Sequence, residues 1–140
     1  MIVEIVISEI DFRIKENIRY ARIKAGIDQV TLAHRIGVSE GYIGGIENPK
    51  NPAKANIRLV SRIAVALGLD SYSEIMPKKV IKNDIVKLRL DLFNINTRNQ
   101  VVDAKGNVPE RLKELSKVKL SDIDYQLFKD QKQEYCTIIE

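Results

Sequence analysis

Residues 26–52 read GIDQVTLAHRIGVSEGYIGGIENPKNP, and their capping residues and stops decide the fold. Asp28 is a good N-cap, and after it Leu32, Ala33 and Ile36 fall on one side of a helix that Gly37 stops. Ser39 caps another helix at once, so Ile36-Gly37-Val38-Ser39 is a tight turn, and Ile43 and Ile46 point inward from this second helix. Pro49 and Pro52 forbid continuation and force an extended loop that exposes Lys50 and Lys54. The second helix, with its cap SEGYIGGIE over 39–47, has glycine at three of nine positions. Gly44 and Gly45 each cost about 1 kcal/mol relative to Ala in a helix interior. Packing through Ile43 and Ile46 has to hold such a helix, and its missing side chains let the backbone approach another surface closely.

Working outward, IVEIVI over 2–7 is β-branched and reads as a strand. Ser8 with Asp11 makes a capping box for a helix whose Ile10, Ile14, Ile18, Ala21 and Ala25 recur at steps of four or three, and Gly26 closes it. On the other side, Asn56 caps a helix with apolar stripes on more than one face, which Gly68 ends. Ser71 with Glu74 caps a single turn over 72–76 that stops at Pro77. After a basic linker at 78–83, VKLRLDL over 86–92 alternates with period two, a strand with one dry face. NINTRNQ and DAKGN are turn-like, and PERLKEL over 109–115 has helical spacing. Residues 123–128 fit a strand or a helix capped by Ser121, and YCTII over 135–139 reads as a strand.

The expected fold class is therefore mostly α. A five-helix unit with a short N-terminal strand occupies 1–77, and a small α+β appendage over 84–140 is the candidate dimerisation region. The alternating strand 86–92, with the strands at 2–7 and 135–139, is the candidate dimer sheet.

The net charge of +4 permits a polyanionic partner without requiring one, and only +3 of it (12 cations against 9 anions) lies in residues 1–79. The lone Cys136 allows no internal disulfide, which suits a reducing cytoplasm. MIVEIVIS is too short and too acidic to be a leader or a membrane span. His34 has no second ligand at metal spacing, and Cys136 reads as a small buried hydrophobe. With one His, one Cys and no Gly-rich phosphate loop after a strand, neither an enzyme nor a cofactor or metal site is expected.

Gln29, Leu32-Ala33, the Gly37-Val38-Ser39 turn, Ile43, Ile46-Glu47 and the Ala66-Leu67-Gly68 ending together resemble the Cro/CI-type, XRE-like helix-turn-helix regulators, over roughly residues 14–76. The resemblance implies a lambda-repressor-like fold and a sequence-specific regulator of double-stranded DNA, a repressor; a homodimer is expected because one short recognition helix buries too little surface for tight specific binding. It implies that Gln29 and Ser39 touch phosphate, and that Glu40, Gly41, Gly44 and Gly45 face the bases. It also implies that Arg22 and Glu47 form an internal salt bridge. The chain departs from the family in an insertion near 53–55 and in holding Glu40 and glycines at base-facing positions. Tyr42 is a candidate for sugar or phosphate, as are Lys50 and Lys54 for phosphate. The alternative is a helix-turn-helix turned to protein partners, as in an antitoxin, an anti-repressor or an adaptor, which the glycines and the modest charge favour.

Overall fold

The capping side chains fix where each helix begins in the computed structural model, which describes residues 1–140. Ser8 Oγ accepts the Asp11 N–H before α1 (Glu9–Lys24), and Asp28 Oδ1 accepts that of Thr31 before α2 (Gln29–Ile36). Ser39 Oγ accepts from Tyr42 for α3 (Glu40–Glu47), and Asn56 Oδ1 accepts from Leu59 for α4 (Ile57–Ala66). Gly37 turns the chain between α2 and α3 at φ 71°, a left-handed conformation that glycine adopts without steric cost. The helix expected at 72–76 is only a 3-10 turn over Tyr72–Glu74, because Ser71 and Pro77 leave too little chain for α-helical bonds to propagate.

Ile14, Ile18 and Ala21 of α1 meet Leu32, Ile36, Ile43, Ile46, Leu59 and Ile63 in one core. The stripe is shorter than the sequence suggested, for Ile10 and Ala25 are exposed. Beside it on α1, Lys15, Arg19 and Arg22 are buried. Arg22 Nε donates to Glu47 Oε2 at 2.6 Å and Nη2 to Oε1 at 2.9 Å, so the expected pair joins α1 to the end of α3 with both side chains out of solvent.

The mostly α expectation gives way to a mixed architecture. β1 (Ile2–Ser8) is an inner strand of a four-stranded antiparallel sheet, in the order β3-β2-β1-β4. Its partners are β2 (Ile85–Leu92) and β4 (Cys136–Ile138), and β3 (Leu112–Lys119) lies outside β2. Val3, Ile5 and Ile7 share a dry face with Val86, Leu88 and Leu90, packed against Phe12 of α1. The strands read as a candidate dimer sheet thus bond to one another within one chain.

β3 takes part of the segment expected to be helical at 109–115. It is an exposed edge strand, and its register against β2 slips between Arg89 and Leu90, leaving Leu115 as the extra, bulged residue. Main-chain bonds to β2 decide its conformation, and without a buried face it carries no alternation for a sequence to display. Ser121 caps α5 (Asp122–Lys129), which resolves the choice left open for 123–128.

Lys15 is 1% exposed, and its Nζ donates to the carbonyls of Asn51 at 2.7 Å and Ala53 at 2.5 Å, pinning the inserted loop. Burial, followed by the nearby Arg111 charge, lowers its pKa from 10.5 to about 8. Between those values the folded chain holds fewer protons than the unfolded one, so its stability rises with pH across that window and is poorest below it. Relative to Lys15→Met, the wild type should gain up to about 3 kcal/mol in urea unfolding between pH 8 and 10.5. A pH-independent difference would mean that Lys15 keeps its ordinary pKa. Glu47→Gln should cost about 3–5 kcal/mol by the same measurement, because it strands the buried Arg22 charge.

Candidate nucleic-acid interface

The short turn at Gly37 and the Ser39 cap set α3 across α2 with its first turn outward. Ser39, Gly41 and Tyr42 are exposed there and Glu40 is half-buried. Nothing lies within 4 Å of where a Cβ on Gly41 would stand, so that face of the helix is open. The other two glycines have neighbours within the chain. A Cβ on Gly44 would lie 3.5 Å from Gln29 Oε1, an ordinary contact, whereas one on Gly45 would lie 3.1 Å from Asn51 Nδ2 and crowd it. Asn51 Oδ1 accepts the Ala53 N–H at 2.8 Å, so Gly45 leaves room for the side chain that shapes the inserted loop.

The implied phosphate contacts are placed unequally. Gln29 is 4% exposed, and its Nε2 donates to Glu47 Oε1 at 3.1 Å, so its amide is turned into the Arg22–Glu47 pair. Lys50 is exposed just beyond α3, where Asn48 Oδ1 accepts its backbone N–H at 3.0 Å. Lys54 reaches the other way, and its Nζ lies 3.7 Å from Asp11 Oδ2 at the start of α1.

Arg58 is a functional candidate that the sequence reading missed. Asn56 starts α4 beside α3, which puts exposed Arg58 into one cleft with Ser39, Tyr42 and Arg62. Arg62 is committed to the Ile36 carbonyl at the end of α2, leaving Arg58 as the cation available to a polyanion. The signal was present in sequence, since Arg58 lies two residues after the Asn56 cap, on the helix that follows α3.

A second missed element is the connection between β2 and β3, whose NINTRNQ portion read only as turns. It leaves the sheet after Leu92, crosses to α2 and α3, and returns along α1. Gln29 N–H donates to the Arg98 carbonyl at 3.0 Å, and Arg22 Nη2 to that of Thr97 at 2.9 Å. The Arg98 guanidinium pairs with the Glu40 carboxylate. Arg19 Nη2 donates to Gln100 Oε1 and the Pro109 carbonyl, and Lys24 Nζ to the Gly106 carbonyl. Between this connection and the end of α3 lies a cavity of 760 Å³, lined by Gly44, Asn48, Lys50, Asn94, Arg98 and Arg111 among others.

No three His, Cys, Asp or Glu side chains gather as metal ligands, and no helix is long and apolar enough to cross a membrane. Cys136 is half-buried in β4, and burial pushes its thiol pKa up.

Comparison with known families matches residues 18–72 to the helix-turn-helix model HTH_3. No curated protein and no solved structure matches the chain. The matched segment contains the turn at Gly37, the α3 helix it positions, and both members of the Arg22–Glu47 pair. Residues 18–72 therefore match a helix-turn-helix family, which supports the resemblance to the Cro/CI-type, XRE-like regulators.

Proposed function

We propose that the protein is a sequence-specific double-stranded DNA-binding transcriptional regulator that acts in the cytoplasm as a homodimer and a repressor. The observation that carries this reading is the open first turn of α3, where Ser39, Gly41 and Tyr42 are exposed with the cation Arg58 in the same cleft, while exposed Lys50 follows the other end of the helix. A helix with a cation toward each end suits a major groove between phosphates. Lys50 and Arg58 would hold the backbone, and the Ser39 hydroxyl and Tyr42 phenol would add neutral phosphate or sugar contacts. Gly41 would let the helix backbone approach the base edges. Repression is the simplest consequence, since an occupied site excludes a competitor for the same groove.

One short reading helix buries too little surface for tight specific binding, so two copies on half-sites one helical turn apart are proposed. The edge strand β3 and helix α5 have surface to spare for such pairing, with Leu115, Val118, Ile123 and Leu127 exposed. A different reading, a helix-turn-helix turned to a protein partner, is favoured by Glu40, an acidic residue in a position where phosphates would repel it.

Selection from a random duplex pool across a salt series tests the two readings against each other. The DNA reading expects one enriched motif and an affinity falling steeply with salt. If the full chain and its variants retain no duplex near physiological salt, the protein-partner reading stands instead. Within the DNA reading, Lys50→Ala and Arg58→Ala should each weaken all sequences similarly and lower the slope of log affinity against log salt by about 1. Gly41→Leu meets open space in the free protein, so it should keep the fold and its melting temperature while blocking groove entry. Unchanged DNA affinity in Gly41→Leu would remove this face of α3 from the groove.

A further inference from the structure

Two antiparallel neighbours such as β2 and β3 need only about 2–5 residues to connect them. Here the connection runs over residues 93–111 and its first part lies on the two helix ends that a helix-turn-helix presents to a duplex. We infer that residues 94–98 form an autoinhibitory strap over the Gln29 and Glu40 ends of the DNA-reading face, and that these ends, unlike the open Ser39–Gly41–Tyr42 surface, become available only when the strap lifts. The inference rests on the DNA-binding reading and concerns how that same surface is regulated.

The contacts compete with those that DNA binding would make. A phosphate oxygen at the first turn of α2 would compete for the Gln29 N–H, which the Arg98 carbonyl already occupies at 3.0 Å. Glu40, the first residue of α3, is held by the Arg98 guanidinium and so cannot turn to a base edge. The strap and the duplex compete for the Gln29 N–H donor and the Glu40 carboxylate acceptor at the same helix ends.

The fastening is suited to release. Phe93 and Ile95 are 40% and 42% exposed, and the cavity of 760 Å³ separates this stretch from Gly44, Asn48 and Lys50, so no apolar seal closes over it. Both members of the Arg98–Glu40 pair are substantially exposed, where water and salt screen them. Arg22 gives two N–H groups to the strap, to the carbonyls of Thr97 and Arg98, and lifting the strap would admit water to replace those acceptors. Its bonds to Glu47 do not depend on the strap. Farther along, Arg19 to Gln100 and Pro109 and Lys24 to Gly106 would keep the rest of the connection on α1 while 94–98 swings away.

The test uses the full chain with Arg98→Ala, and a second variant in which Asn94→Gly, Ile95→Ser, Asn96→Gly, Thr97→Ser and Arg98→Gly are combined. Circular dichroism confirms the fold of each. The duplex enriched in the selection, or the unselected pool if none is enriched, serves as the probe. Both variants should bind it about tenfold or more tightly than the wild type. Hydrogen exchange at the Gln29 amide of the free protein should be faster in both. Weaker binding by Arg98→Ala with a salt slope lowered by about 1 would make Arg98 a phosphate contact and overturn the strap. Equal affinity in all three forms would overturn it while leaving the DNA reading intact. Failure of every form to hold a duplex would overturn both.

Discussion

The Arg22–Glu47 pair is the constraint on which the rest of the helical unit depends. Two charges removed from water are tolerable only if every donor and acceptor around them is met. Arg22 has five N–H groups, and each has an acceptor in Glu47, Ile27, Thr97 or Arg98. Glu47 in turn accepts from Gln29. One guanidinium therefore sets the position of α1, the turn before α2, the first residue of α2, the last residue of α3 and the connection from the sheet. The inward turn of Gln29 has the same origin: a carboxylate buried beside an amide is a stronger acceptor than a phosphate reached through water.

The same economy explains why the chain's positive charge is a poor guide to its partner. Lys15, Arg19 and Arg22 lie along α1 with their aliphatic stems among apolar neighbours and their heads on loop carbonyls or on Glu47. They are cations used as donors to backbone that has no regular structure of its own. What remains toward the proposed DNA face is local, consisting mainly of Lys50 and Arg58, with Arg98 held by Glu40.

Local chemistry was legible in the sequence, and long-range pairing was not. Ser8, Asp28, Ser39, Asn56 and Ser121 all cap the helices they precede, and Gly37 makes its turn, because these effects act within three residues. The Arg22–Glu47 pair was available only through family resemblance. The inner position of β1 could not be read, since IVEIVI says that it is a strand and nothing about its neighbours. β3 was mistaken for helix because its bulge and exposure erase alternation, and the strap read as turns because its role lies in carbonyls, which no side-chain pattern encodes. Of the candidate site, the exposed start of α3 was visible. The packing reason for Gly45 and the placement of Arg58 needed the loop between α3 and α4.

The inner position of β1 also bears on how the chain acquires its structure. Residues 2–8 pair with 85–91 and, in part, with 136–138, whereas the helices between them close mainly through contacts nearer in sequence. The sheet is thus the high-contact-order part of the molecule and the slower to form. On a ribosome the helical unit can assemble while IVEIVI still has no strand to pair with, an apolar segment awaiting a partner about eighty residues downstream. Glu4 within it, and Ser8 with Glu9 at its end, then act as interruptions that hinder self-association during the wait.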